Sequence, residues 1–256
     1  MIVEGMSYLE AYNQIESDLP KVEKWAEKYI PKVTKAFGKG RKFPQYHIEK
    51  YTHVITKNEY RIFYYLGNAK EKVNYVIFFV TFYNNERLVI RTDIYRYKHT
   101  PKSREVLLPI INIYLTHFIK RYNERCLHLE NVSDDVIAGY FFARNELSWQ
   151  IPLNENIKRN FQKYGCSNEF GMRVKDGFCF VSTMIEGKQS DDSIKENNRV
   201  DAMRLVYTTF MKESDMSDTQ RAAIEKEHIE TLKECMNEFR DMLIDDPILK
   251  SVGQRM

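Results

Sequence analysis

The sequence has few of the features that indicate a cellular location or a class of binding partner. Its longest apolar stretches, residues 76–83 and 106–113, are far shorter than the about 20 residues that span a bilayer, and its acidic start lacks the apolar run of a signal peptide. Its net charge is only +3, so no overall field draws the protein to nucleic acid or to an anionic membrane. We expect an intracellular, cytoplasmic protein without membrane association, in which any anion site is local.

Motifs of nucleotide, hydrolase and metal chemistry are also missing. A P-loop, a G-x-G-x-x-G loop, a G-x-S-x-G elbow and an H-E-x-x-H helix are all absent. The four cysteines are scattered along the chain without a C-x-x-C pair: Cys126, Cys166, Cys179 and Cys235. This spacing favours buried free thiols, and the sequence predicts neither a cofactor nor a metal site.

Aromatic residues, by contrast, are abundant, with 17 tyrosines and 15 phenylalanines. From about residue 46 to residue 97, β-branched and aromatic side chains recur with a period of two, in runs such as YRIFYYLG and VNYVIFFVTFY. Polar turns separate these runs, so the pattern predicts an antiparallel meander. In the last run Ile90 and Ile94 alternate with Arg91 and Asp93, so one face of that strand should meet water.

The N-terminal part has helical periodicity. Residues 7–37 carry apolar side chains at three- and four-residue intervals. Pro20 and Pro31 interrupt the pattern, and a proline inside a helix cannot donate its backbone hydrogen bond. The sequence therefore predicts two or three short helices here.

Three further helices are marked by their first residues. Thr116 is the expected N-cap of a helix that runs to about Leu127, and Ser133 begins the next helix. Ser217 and Gln220 form a capping box, which predicts a long C-terminal helix.

The region between these helices mixes both periodicities. Residues 154–164 predict a short helix, and residues 172–185 predict a hairpin with a type I′ turn at Asp176 and Gly177. Together the elements predict an α+β fold: an antiparallel aromatic-rich sheet, a helical N-terminal segment, a central helical insertion and a long C-terminal helix.

The chain shows no clear linker between domains. We expect an N-terminal helical segment over residues 1–45 and an α+β domain over residues 46–256, with a subdivision near residues 100–115 as the alternative.

The stretch THFIKRYNERC is the strongest candidate for a functional site. His117, Arg121 and Arg125 follow one another at steps of four, which places them along one face of a helix. Two guanidinium groups can hold a phosphate, and a histidine can move a proton near neutral pH. The pattern therefore suggests an anion- or nucleic-acid-binding face with His117 as a catalytic residue.

The same arginines have a structural alternative. Charged side chains on one helix face often form ion pairs within the protein. The carboxylates available for such pairs are Glu124, Glu130, Asp134 and Asp135.

Arg144 and Arg173 extend the list of candidate anion-binding residues. Both stand at the ends of predicted elements, where binding groups often lie. Arg144 could equally offset the dipole of the helix that it ends.

Three stretches resemble known families. THFIKRYNER resembles the opening of small bacterial domains related to RelE-like toxins, and the resemblance implies an RNase-type α+β domain with His117, Arg121 and Arg125 at the matching positions. RVKDGFCFVS and YTTFMKESDMSDTQ are similar to the strand region and the Thr-Phe…Gln ending of a protein family from Bacteroides-type bacteria. The chain differs from such toxins in its length and its near-neutral charge.

Two hypotheses of different classes follow. In the first, a bacterial protein binds RNA or a small anionic ligand through the His/Arg/Arg face, with ribonuclease activity as one form of this function. In the second, the same residues form a structural ion-pair network, and the protein is a non-catalytic interaction module that meets a protein partner.

Overall fold

The computed structural model describes residues 5–38, 42–83, 85–97, 106–152, 170–188 and 199–245. Within these ranges the chain forms an α+β fold, as the sequence predicts. The helices are α1 (Tyr8–Phe37), α2 (Thr116–Tyr122), α3 (Asp134–Arg144) and α4 (Asp218–Asp245). The strands are β1 (Gln45–Thr52), β2 (Glu59–Leu66), β3 (Asn74–Tyr83), β4 (Glu86–Tyr97), β5 (Val106–Leu115), β6 (Ser148–Pro152), β7 (Phe170–Val174), β8 (Gly177–Lys188) and β9 (Arg199–Lys212).

All nine strands belong to one sheet, in the order β1-β2-β3-β4-β5-β9-β8-β7-β6. Strands β1 to β5 form the predicted antiparallel meander, and β6 to β9 form a second one. The two meanders are joined by a parallel pairing of β5 with β9, in which Ile110 lies opposite Met203 and Tyr114 opposite Tyr207. Helices α2 and α3 form the crossover between the meanders, as parallel neighbours require.

The helix α1 is a single 30-residue helix that contains both Pro20 and Pro31, so the predicted breaks do not occur. Ser7 caps its start in a capping box with Glu10. Its buried side chains continue on one face past both prolines: Ala11, Tyr12, Ile15, Val22, Ala26, Val33 and Phe37. Packing of this continuous apolar stripe on the sheet outweighs the loss of two backbone hydrogen bonds.

The sheet has a core on each face because the side chains of every strand alternate. The face under α1 carries Tyr60, Ile62, Tyr64, Phe79, Ile90 and Ile111. The opposite face carries Phe63, Val76, Phe78, Val89, Ile110 and Tyr114, which pack against α2 and α3. At the β6–β8 end, Ile224 of α4 packs in a third cluster with Ile151, Phe178 and Phe180.

Close packing of α3 on β2 depends on Gly139. A Cβ atom at this position would lie 2.2 Å from two ring carbons of Phe63, so only glycine allows the observed approach.

The predicted hairpin and the terminal helix are both present, with one difference. The turn between β7 and β8 has Lys175 and Asp176 at its centre, because Val174 pairs with Gly177. A type I′ turn requires a positive φ at both central residues, and neither Lys175 nor Asp176 has one. The expected type I′ turn centred on Asp176 and Gly177 is therefore wrong. Ser217 and Gln220 do form the expected capping box at the start of α4. The helix predicted over residues 154–164 lies outside the described residues.

Candidate functional site

The helix that carries THFIKRYNERC begins and ends differently from the prediction. Its N-cap is Leu115, and the Thr116 hydroxyl donates instead to the backbone oxygen of Arg87 at 2.8 Å. Regular α-helix ends at Tyr122, and residues Asn123–Leu127 form a π-helical turn. A π turn holds more residues than an α turn, so Arg125 does not continue the four-residue stripe of α2.

The three residues of the predicted face have different surroundings. His117 is exposed, and among the described residues none bonds to its ring. Arg121 donates to the exposed Glu124 at 2.8 Å. Arg125 donates from Nη1 to the backbone oxygen of Phe210 at 2.8 Å, and its Nε lies 3.8 Å from a carboxylate oxygen of Asp215. Both arginines thus have partners inside the protein.

Arg144 belongs to a hydrogen-bond network centred on Asp176. Its Nε and Nη2 donate to the two carboxylate oxygens of Asp176 at 2.8 and 2.7 Å. The same carboxylate accepts from the Tyr122 hydroxyl at 2.6 Å and from the Asn145 amide at 3.1 Å. Burial alone would raise the pKa of Asp176, but the hydrogen bonds from Arg144 and Tyr122 outweigh it and leave that pKa below its ordinary value.

Arg173 lies on β7, where it connects this strand with α4. It donates from Nη1 to Glu225 and to Nδ1 of His228, each at 2.5 Å. Burial and the charge of Arg173 lower the pKa of His228, which fits a neutral imidazole that accepts this hydrogen bond.

Asp135, one of the carboxylates predicted to pair with Arg121 or Arg125, has other partners. It accepts from Nε of Arg61 at 2.8 Å and also from Nη2 of Arg87. These contacts attach the start of α3 to β2 and to the start of β4. Desolvation lowers the pKa of Arg87.

A second polar cluster lies under α1 and was not predicted. Asp18 is 1% exposed and accepts hydrogen bonds from Thr56, Asn58 and Tyr60 at 2.6 to 2.9 Å. Nδ1 of the buried His53 lies 3.0 Å from the other Asp18 oxygen. These bonds join the β1–β2 turn to α1. Asp18 is the only acidic residue on the buried face of α1 among the described residues.

The largest cavity of those found in the described structure, about 660 Å³, lies on the α2–α3 face of the sheet. Its floor is built by β4, β5 and β9, and its walls by the end of α3 and by β6 and β7. Because β4 and β6 line one cavity although four strands lie between them in the sheet order, the sheet curves around it. Its apolar lining includes Leu108, Ile110, Phe141, Phe142, Met172, Met203 and Leu205.

Arg91 is the only basic side chain among the described residues that line this cavity. Its guanidinium lies over the ring of Phe142, with the central carbon 5.1 Å from the ring centroid. No carboxylate of the described residues forms an ion pair with it. Partly buried arginines are usually paired, so Arg91 is the exception among the arginines discussed here.

Two stacked tyrosines form the floor beside Arg91. The rings of Tyr114 and Tyr207 are 4.2 Å apart and nearly parallel, at 21°. The Tyr207 hydroxyl donates to the buried Asn112 amide oxygen at 3.4 Å. Burial raises the pKa of both phenols, so they are neutral hydrogen-bonding groups at physiological pH.

A cleft in the sheet opens beside this cavity. Strand β3 pairs with β4 through its second half, from Phe79 opposite Ile90 to Tyr83 opposite Glu86. The first half of β3, before Phe79, has no pairing with the described part of β4. The cleft between them has a volume of about 360 Å³ and shares Arg91, Thr92 and Glu146 with the cavity. Arg91 can therefore be approached from two sides.

Two carboxylates, Asp93 and Glu146, also line the cavity, and both side chains are exposed. Asp93 accepts a hydrogen bond from the Ile94 amide at 2.8 Å, and Glu146 accepts one from the Tyr65 hydroxyl at 3.4 Å. Neither forms an ion pair with a described basic residue. Acidic charge thus lies at the mouth of the cavity and basic charge further inside.

One signal for this site is present in the sequence. Arg91 and Asp93 interrupt an apolar strand on the same face, and the prediction assigned that face to water. The structure shows that this face borders a cavity. The residues that close it come from β9, α3 and β6, which no local pattern relates to β4.

Comparisons with protein-family models, with curated proteins and with solved structures found no match. The resemblance to RelE-like toxins and to the Bacteroides-type family therefore stays a prediction. Among the described residues no helix has the length and apolarity to cross a membrane, and no group of three or more His, Cys, Asp or Glu side chains is arranged to hold a metal ion.

Proposed function

We propose that the protein binds a small organic anion in the cavity of about 660 Å³, with Arg91 as the residue that holds its negative group. The observation that carries the proposal is the position of Arg91, inside this cavity and without an ionic partner among the described residues. The other candidate arginines of the sequence already donate to groups of the protein.

An unpaired guanidinium in this position favours an anionic ligand. Arginine presents planar donors that match a carboxylate or a phosphate, and such charge-assisted hydrogen bonds are stronger than neutral ones. The ring of Phe142 covers one face of the guanidinium, so the N–H groups at the edge of the guanidinium are left for a ligand.

The remaining lining favours a ligand with an apolar body. The cavity volume lies within the about 300–1,000 Å³ that is typical of sites for small molecules. Aliphatic and aromatic side chains cover about half of its walls, and Asn112 and the two tyrosine hydroxyls offer neutral polar contacts.

The test is a calorimetric titration of apolar carboxylates, such as N-acetylphenylalanine and phenylpropionate, into the wild type and two variants. Arg91→Met removes the proposed donor and keeps an apolar side chain of similar length. Arg121→Met is the matched control, because Arg121 belongs to the predicted helix face and lies outside the cavity.

We expect binding that Arg91→Met weakens and Arg121→Met leaves unchanged. Binding that survives Arg91→Met, or an absence of binding to every carboxylate by the folded wild type, would refute the proposal.

The helix face remains a second candidate because His117 is exposed and the Arg121 side chain is 41% exposed. If this face binds RNA, then His117→Ala and Arg121→Met lower the affinity for a short single-stranded RNA at low salt, and Arg91→Met does not.

A further inference from the structure

We infer that the ligand of the cavity is a zwitterion: an amino acid or a short peptide whose carboxylate binds Arg91 and whose ammonium group lies at Asp93. This inference rests on the proposed function, since it names the class of carboxylate ligand that the same site takes.

The two charges are placed for such a ligand by the strand that carries them. Arg91 and Asp93 are two residues apart on β4 and point to the same face, where they lie opposite Asn112 and Ile110 of β5. Their Cα atoms are about 6.7 Å apart, twice the rise of one strand residue. Opposite charges at this separation complement a molecule that carries both charges.

Arg91 and Asp93 do not neutralise each other. Arg91 lies over Phe142, and Asp93 accepts the amide of Ile94 at 2.8 Å. No ion pair is formed between them, and neither pairs with another charged group of the described residues. Two adjacent opposite charges that both lack an ionic partner are available to a ligand at the same time.

The acidic side of the cavity argues against a simple anion. Glu146 adds a second carboxylate to the lining, and these two acidic groups weaken the binding of an anion that carries no positive group. An ammonium group on the ligand turns this repulsion into attraction. The apolar walls then receive the side chain of the amino acid.

The experiment compares four related molecules by calorimetry in the wild type, in Arg91→Met and in Asp93→Asn. Phenylalanine carries both charges, N-acetylphenylalanine only the carboxylate, and phenylalanine amide only the ammonium group. Alanylphenylalanine carries both charges at a greater separation, so its affinity relative to phenylalanine shows whether a free amino acid or a peptide is preferred.

We expect phenylalanine or the dipeptide to bind at least about tenfold more tightly than either singly charged analogue, because each analogue lacks one charge-assisted contact. Asp93→Asn should weaken the zwitterions about tenfold and leave N-acetylphenylalanine unchanged or improved. Folding of each variant is checked by circular dichroism, and Asp93 is exposed, so its substitution spares the core.

The inference is overturned, and the proposed function stands, if N-acetylphenylalanine binds through Arg91 as tightly as the zwitterions and Asp93→Asn changes neither. If none of the four molecules binds the wild type, both fail. If phenylalanine amide alone binds, and does so through Asp93, the site takes cations and both fail as well.

Discussion

The arginines near α2 and α3 and Arg91 of β4 differ in what surrounds them. Arg121, Arg125 and Arg144 each donate to Glu124, to a backbone oxygen or to Asp176. Arg91 lies in a cavity against the ring of Phe142 and has no ionic partner among the described residues. An arginine that the protein has already paired stabilises the fold, whereas an arginine without such a partner is available to a ligand. The comparison therefore predicts opposite results of substitution in the two regions.

The largest effect on stability is expected at Asp176. Its side chain is 7% exposed, and Asp176→Ala leaves the buried Tyr122 hydroxyl without its acceptor and removes one of the two acceptors of the Asn145 amide, the other being the Phe141 backbone oxygen. We expect a loss of about 2–4 kcal/mol in the free energy of unfolding, of which little comes from the half-exposed Arg144. Urea unfolding measures it.

Glu124→Ala is the matched control, because it removes an exposed carboxylate whose partner is Arg121. Its cost should stay below about 0.5 kcal/mol. Equal costs for the two substitutions would mean that the Asp176 network does not hold α2, α3 and the β7–β8 turn together.

The largest effect on binding is expected at Arg91. Arg91→Met should weaken an apolar carboxylate by about tenfold to hundredfold, because a charge-assisted hydrogen bond contributes about 1.5–3 kcal/mol. The free energy of unfolding should change by no more than about 1 kcal/mol, the contribution of the contact with Phe142. If Arg91→Met lowered the free energy of unfolding and left the ligand affinity unchanged, Arg91 would have a structural role like that of Arg125 and Arg144.

The pH dependence of stability offers a third comparison. Because the pKa of Asp176 is lowered in the folded protein, the Asp176 carboxylate stabilises the fold above its unfolded pKa of about 4, and this contribution is lost as pH falls through the folded pKa. We expect the difference in unfolding free energy between wild type and Asp176→Asn to be constant above about pH 5 and to shrink below about pH 4. A difference that grows on acidification would contradict the assignment.

The smallest effects separate the two arginines of the predicted helix face. Arg125 is 28% exposed and donates to the backbone at Phe210, so Arg125→Met should cost about 1 kcal/mol. Arg121 has only an exposed ion pair, and Arg121→Met should cost less than about 0.5 kcal/mol. Thermal unfolding of both variants in parallel checks that Arg125→Met lowers stability more than Arg121→Met. If the two arginines had only a common functional role, their substitutions would not differ in this way.

Local patterns predicted much of the fold. The alternation of aromatic and β-branched residues was enough for the first meander, and Ser217 with Gln220 was enough for the start of α4. The breaks expected at Pro20 and Pro31 did not occur, because burial of one continuous face decides the length of α1.

The candidate site could not be predicted in the same way. Its walls depend on the parallel pairing of β5 with β9, which brings Tyr114 beside Tyr207 across a long separation in sequence. The partners of Arg144 and Arg125 likewise come from distant strands. Charge spacing along a helix indicates which side chains share a face, but the partners in the folded protein decide which of them can bind a ligand.

The most direct test of the account is a crystal structure of the protein grown with a saturating concentration of phenylalanine or alanylphenylalanine. We predict a ligand in the cavity on the α2–α3 face, with its carboxylate at hydrogen-bond distance from Arg91 and its ammonium group beside Asp93. An empty cavity under these conditions, or a ligand bound at His117 and Arg121, would contradict the account.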